Sequence, residues 1–312
     1  MYFFYLLIFT LFTSCTSLKK EKEVSSKLGN IDPQDLTLFE SAFEDLGNEE
    51  YASVIPIFKN LAEKYRGQDL EWAALYNLAS AHKEVGQCKE AENIYQRLLA
   101  KKGTLPHLKA RIYLSLSYVY ECLGQAEKTL IALKEGEKYI NYLTEDIRFI
   151  EYPARLSMAY IRMDEDKTGL KIQKKVYQNM EMMKKVYRIN SAADENFARY
   201  FYIVGRSHVH SDHIQLRRFL KMLFYHQVYL TQSLLLEAGD GSVKAEKELG
   251  DLYCKMWSKL KRQKNKKTYQ IQVTKILNQL KDISINSKSK KMRAIYTGLR
   301  KKTLFYMGQG PH

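Results

Sequence analysis

Three imidazoles and a carboxylate fall within six residues of this chain, His208-Val209-His210-Ser211-Asp212-His213. Imidazole nitrogen and carboxylate oxygen are ligand types of a catalytic zinc, which keeps one position for a water that it makes nucleophilic. Thiols offer a second chemistry, at Cys15, Cys88, Cys122 and Cys254. No two are spaced Cys-x-x-Cys, so a cysteine-held metal is not expected. The three that follow Cys15 cannot all pair with one another, so neither is a disulfide framework. Phosphate-cradling and nucleophile-elbow segments (GxxxxGKS or GxxxxGKT, GxGxxG, GxSxG) do not occur, and no cofactor is expected.

Helices must position these groups. Across 312 residues, hydrophobic side chains make up 45% and charged ones 27%, while Gly numbers 15 and Pro only 5. A turn-rich sandwich or barrel needs more of both, whereas Lys, Leu, Glu and Ala are strong helix formers, so the chain reads as all-α. Net charge is +15. From Lys255 to the end there are 16 Lys and Arg against a single acid, Asp282, which leaves 34 of each sign before it. The excess opens with Lys255, Lys259, Lys261, Arg262, Lys264, Lys266 and Lys267, the pattern of a region that meets an anionic lipid or polymer; a solvated helical cap is the alternative.

The histidine-rich segment matches the HxHxDH signature of metallo-β-lactamase-like hydrolases, and the resemblance implies metal-dependent hydrolysis with His208, His210, Asp212 and His213 as ligands. That family sets the motif after a buried strand and adds later His, Asp and His ligands. Here Asn196 to Gly205 is patterned as a helix, and the later histidines are His226 and His312. The segment therefore reads first as a polar interhelical loop, with adventitious or structural metal binding and hydrolase chemistry as the alternatives.

Met1 to Ser14 carries no charged side chain but is too short for a hydrocarbon core of roughly 30 Å, which takes about 20 helical residues. It has the length of a signal-peptide apolar region. Phe12-Thr13-Ser14-Cys15 resembles the lipobox of bacterial lipoproteins, departing from it at Phe12, where an aliphatic is usual, and in having no Lys or Arg near Met1. An uncleaved apolar anchor is the alternative. The resemblance implies residues 1–14 as a removed signal peptide, lipidation of Cys15, and residues 15–34 as a polar linker. It also implies the outer membrane, facing the periplasm, because Thr16 is not the Asp that retains lipoproteins at the inner one. Nucleic acid is not an expected partner at that address.

Over residues 35–180 a unit of about 37 to 40 residues recurs. The clearest copy has Leu75, Leu78, Ala79 and His82 on one helix, Gly86 at the turn, and Cys88, Ala91, Tyr95 and Leu98 on a second. The next has Tyr113, Leu116, Ser117, Tyr120, Gly124, Ala126, Thr129 and Leu133. Looser copies flank them: Leu36, Phe39, Phe43, Gly47, Tyr51, Val54, Phe58 and Leu61 before, and Leu156, Ser157, Tyr160 and Gly169 after. Such spacing describes a helix hairpin that cannot bury its apolar face alone and must stack on a neighbour. Pro33, Pro106 and Pro153 mark first turns, and Pro56 predicts a kink.

These offsets resemble the tetratricopeptide repeat. The resemblance implies a helix-hairpin solenoid, without enzymatic activity, whose concave face binds a protein or peptide through fixed positions of each first helix. Carried over, those positions are Glu44 and Asp45, then Tyr76, Ser80, Lys83 and Glu84, then Arg111, Tyr118 and Glu121. Tyr76 and Tyr118 are expected to open on one groove.

Beyond residue 180 the repeat spacing fades. Residues 181–254 are expected to hold degenerate repeats or a helical extension, and 255–312 a basic helical region. Ser191 with Asp194 resembles a capping box and predicts a helix to Gly205. Gly239-Asp240-Gly241 predicts a break, with Ser242 capping the helix that follows. Two basic helices, about Lys267 to Lys281 and Lys288 to Leu304, finish the chain.

Overall fold

The computed structural model describes residues 31–187, 191–206, 215–287 and 289–308. Cys15 and the segment with His208, His210, Asp212 and His213 lie outside them. The described residues form helices and no strand, in a repeat-like all-α fold. They divide into two compact units that part between Leu143 and Thr144.

Among the described residues six α-helices make the first unit: α1 (Pro33–Gly47), α2 (Tyr51–Lys64), α3 (Asp69–Glu84), α4 (Cys88–Ala100), α5 (Pro106–Cys122) and α6 (Ala126–Glu137). Proline opens α1 and α5, where no intrahelical partner is lost, and the Asp32 carboxylate accepts the Gln34 N–H to cap α1. Each helix packs on the next, and the first helices of successive hairpins, α1, α3 and α5, also touch. Phe39 meets Phe58 edge to face at 5.6 Å, and Tyr95, Leu98, Ile112 and Val119 are fully buried. The buried Glu92 carboxylate of α4 binds Lys89 at 2.7 Å and Lys128 of α6 at 3.5 Å. Burial works to raise this carboxyl, but the Lys89 hydrogen bond and the Lys128 charge outweigh it and hold it below its ordinary value.

One backbone device turns every hairpin of the first unit. In the α1–α2, α3–α4 and α5–α6 connections a single residue is left-handed, Glu49 at φ 68°, Gly86 at 82° and Gly124 at 69°. The next N–H donates five residues back, Glu50 to Asp45 at 2.9 Å, Gln87 to His82 at 2.8 Å and Gln125 to Tyr120 at 2.8 Å. This is the 6→1 bond of a Schellman turn, for which glycine is the cheapest residue. Gly47, expected at the first turn, is instead the last residue of α1.

The same turn reappears in the second unit. There a π-helical turn, Ile147–Glu151, runs into α7 (Tyr152–Arg162), which pairs with α8 (Asp166–Tyr187). Asp164 is left-handed at φ 63°, and the Glu165 N–H donates to the Tyr160 carbonyl at 2.9 Å. Ser157 donates to the Gly169 carbonyl at 2.8 Å, closing the crossing. The stretch 35–180, expected as one array, is thus divided, its fourth hairpin falling in the second unit.

Next come α9 (Ser191–Gly205), α10 (Leu216–Leu236) and α11 (Gly239–Lys261), all in mutual contact; α12 (Gln270–Asn286) then lies on α10, and α13 (Lys290–Tyr306) on α11. The expected break at the two glycines is corrected. Glu237 takes the left-handed conformation, φ 48°, and α11 already begins at Gly239. Gly241 stands in its first turn, where a Cβ would come within 2.6 Å of the Arg199 backbone nitrogen, so glycine is what lets α11 approach α9. Ser242 lies within the helix, where its hydroxyl accepts from the Ala238 N–H at 3.1 Å and donates to the Ser233 carbonyl at 2.7 Å.

The basic C-terminal helices are core elements, not a tail. The Tyr253 hydroxyl donates to Gln227 at 2.5 Å, Gln227 bonds Gln279, Thr231 bonds Tyr296, and the Trp257 indole donates to Thr303 at 3.0 Å. These bonds join α10 and α11 to α12 and α13, and the boundary expected at Lys255 falls inside α11.

The thiols require a further correction. Cys88, at the start of α4, is disulfide-bonded to Cys122, at the end of α5, with Cα atoms 6.4 Å apart. Their separation of 34 residues is close to one repeat, so stacking brings the end of one first helix beside the start of the preceding second helix. Cys254 is free and exposed on α11. Closing a loop of this length stabilises the folded state by about 4 kcal/mol in the chain-entropy account. Cys88→Ser with Cys122→Ser should therefore lose roughly that much in urea unfolding, and reductant should destabilise the wild-type chain alone; equal curves for both proteins would contradict the bridge.

Candidate ligand-binding face of the first unit

The inner-face positions lie on α1, α3 and α5, and those of α3 and α5 come together. The Tyr76 ring is half-buried, packed edge to face on Tyr95 at 5.7 Å, with its hydroxyl 3.2 Å from Ser115 Oγ. Ser80 Oγ lies 2.9 Å from the Tyr95 hydroxyl. Burial, then the neighbouring Tyr76, pushes the Tyr95 phenol far above its ordinary value, so it stays a neutral donor and acceptor in this cluster. Near the C-terminal ends of the same helices, the Lys83 ammonium stands 4.9 Å above the Tyr118 ring and 2.6 Å from the Glu84 carboxylate. Lys83 is thus drawn onto the face by a cation–π contact and an ion pair together.

The positions are not equivalent. Tyr118 is only 8% exposed, so its ring is a packed floor under Lys83 and not an open groove wall. Arg111 is half-buried near the start of α5, where its charge adds to burial in lowering the His107 imidazole, so His107 is held neutral. Glu121 is half-buried one turn beyond Tyr118. Glu44 is exposed and Asp45 half-buried on α1, and among the described residues no side-chain hydrogen bond or ion pair joins them to the polar groups of α3 and α5.

Ser115 and Tyr95 lie buried beneath this face and support it without having been expected there. The offset of 38 residues from Gly86 to Gly124 makes Ser115 the counterpart of Asn77, a buried polar residue of α3. A polar residue recurring on the buried side of successive first helices was the available signal. The face presents the Ser80 hydroxyl, one cation, one carboxylate and the half-buried Tyr76 phenol, above the buried hydroxyls of Tyr95 and Ser115. Such a set can donate to and accept from an extended backbone.

Other concave surface is simpler. A hollow of about 600 Å³ runs along α8, lined by Lys174, Tyr177, Gln178, Glu181, Met182 and Lys185. All six belong to one helix, so among the described residues no second element brings polar groups to converge on it. Of the expected basic cluster, Lys255, Lys261, Arg262, Lys264 and Lys267 are exposed, Lys259 stands 5.8 Å from the Phe219 ring centre, and Lys266 donates to the Tyr306 carbonyl at 2.6 Å. Among the described residues no three His, Cys, Asp or Glu side chains are grouped to hold a metal, and no helix is long and apolar enough to cross a membrane.

Comparison with protein families, with curated proteins and with solved structures finds no match for the chain.

The burial difference between the two tyrosines gives a test of the face. Tyr118→Ala should destabilise the first unit by about 3 kcal/mol, as removal of a packed ring does. Tyr76→Ala should cost less, about 1.5 kcal/mol, because its ring is only half-buried. Thermal unfolding of the two variants checks this, and the reverse order would mean that the open ring is Tyr118.

Proposed function

We propose that the protein is a non-enzymatic, tetratricopeptide-like scaffold that holds an extended segment of a partner protein on the α3–α5 face. The observation that carries this is the convergence of consecutive first helices: Tyr76 on Ser115, and Lys83 over Tyr118 beside Glu84. A surface assembled from two repeats reads two successive stretches of an extended chain. Lys83 and Arg111 supply cations for carbonyls or carboxylates, and Tyr76 supplies an aromatic edge. No step of chemistry is assigned to these groups.

The proposed address is the outer membrane of a bacterial envelope, facing the periplasm, with Cys15 lipidated. The Cys88–Cys122 bridge supports an address outside the cytoplasm, because disulfides persist in oxidising compartments and thiols stay reduced in the cytosol.

Mass spectrometry of what co-purifies with the protein from native membranes names the partner, and variants then locate its site. Lys83→Ala with Arg111→Ala should weaken retention of that partner about tenfold or more, with the helical circular dichroism signal intact. Retention equal to wild type would place the site elsewhere. Separately, Cys15→Ser should leave the leader uncleaved and move the protein out of the detergent phase; a variant that fractionates and migrates as wild type would remove the lipid anchor from the account.

A further inference from the structure

The end of the α12–α13 hairpin combines two features that rarely share a surface. Ile271, in the first turn of α12, is 71% exposed, and Phe305, in the last turn of α13, is 66% exposed. The 3-10 turn Lys266–Tyr269 brings them to the same end, because the Lys266 ammonium donates to the Tyr306 carbonyl at 2.6 Å. Beneath them the end is rigidly built: Tyr306 stacks on Trp257 at 5.8 Å, the Trp257 indole donates to Thr303, and Lys302 lies 4.3 Å over the Trp257 ring. Phe305 and Ile271 therefore face outward from a fixed platform.

Around them the charge has one sign. Lys264, Lys267, Lys301 and Lys302 are exposed. Among the described residues none of these, nor Lys261, Arg262 or Lys266, is ion-paired to an acid. Asp282, the one acid of the region, lies eleven residues along α12 from Ile271, about 16 Å at the helical rise.

We propose that this end of the hairpin docks on an anionic phospholipid surface, with the lysines against headgroup phosphates and Phe305 and Ile271 entering the acyl boundary. Apolar side chains among cations at one rigid end of the hairpin match the layered chemistry of that interface. A soluble polyanion such as single-stranded nucleic acid would meet the lysines and could stack on Phe305. It would gain nothing from the exposed aliphatic side chain of Ile271, and so is the weaker match. This surface involves none of the side chains of the α3–α5 face, so either assignment can fail without the other.

Phe305→Trp in the full chain supplies a reporter, read as the emission added to that of the parent protein. The chain is held on vesicles of phosphatidylcholine alone, or with about a third phosphatidylglycerol. On the anionic vesicles the added indole should shift to the blue and be quenched by brominated acyl chains. On neutral vesicles it should remain water-exposed. Salt raised to about 0.5 M should reverse the anionic signal, as should Lys264→Glu with Lys267→Glu. In the Phe305 chain, Ile271→Ser should lower the affinity of the anionic surface by about threefold or more, while leaving a heparin or oligonucleotide titration unmoved. Identical emission on the two vesicle types would overturn the proposal. So would an indole that responds to oligonucleotide but is not quenched from the acyl chains.

Discussion

Four hairpins depend on one backbone constraint, a single left-handed residue followed by an N–H that reaches five residues back. With that bond made, the second helix is returned antiparallel to the first, and the apolar stripes of both face the same neighbour. Everything described for the first unit follows from this repetition: α1, α3 and α5 are brought into contact as first helices, and the side chains that meet on α3 and α5 do so because both helices leave equivalent turns. Two of the turns use glycine, where the conformation costs little, and two place Glu49 and Asp164 there, at an expense of about 1 kcal/mol that stacking must offset.

The first unit and the last helices of the second settle their buried polar groups differently. In the first, carboxylates are closed by lysines, as at Glu92, and hydroxyls bond hydroxyls across α3, α4 and α5. The disulfide fixes the second hairpin to the third at the end of the stack near Lys83 and Tyr118, which limits how far α5 can slide along α3. In the second, uncharged amides, hydroxyls and one indole join α10 and α11 to α12 and α13, which leaves the lysines of the last helices on the outside. Segregating charge to the surface in this way is what makes a strongly basic segment compatible with a packed core.

Much of the fold was legible in residue spacing, and the exceptions have physical causes. Hairpins two and three were plain because Gly86 and Gly124 announce their left-handed turns. The first and fourth were faint because Glu49 and Asp164 adopt the same conformation without a glycine to mark it. The helix from Ser191 to Gly205 has the bounds expected of it, whereas Gly241 was misread as a breaker because a glycine needed for close helix approach looks the same in sequence. Counting cysteines gives the parity of the pairing but not proximity, so the Cys88–Cys122 bridge needed the stacking geometry. At the candidate face, register put Lys83 and Tyr118 on neighbouring first helices, and it wrongly gave the buried Tyr118 ring an open side. It could not show that Lys83 lies over the Tyr118 ring, since that depends on a neighbour from another repeat.

The central claim is that a partner lies along the α3–α5 face in the native envelope, and a photocrosslinking residue tests it at the level of single positions. Benzoylphenylalanine in place of Glu84 or Arg111, on the inner positions of α3 and α5, should trap one discrete partner in intact cells. The same residue in place of Glu127, exposed in the first turn of α6, should not. Capture from Glu127 alone, or equally from all three positions, would contradict the account.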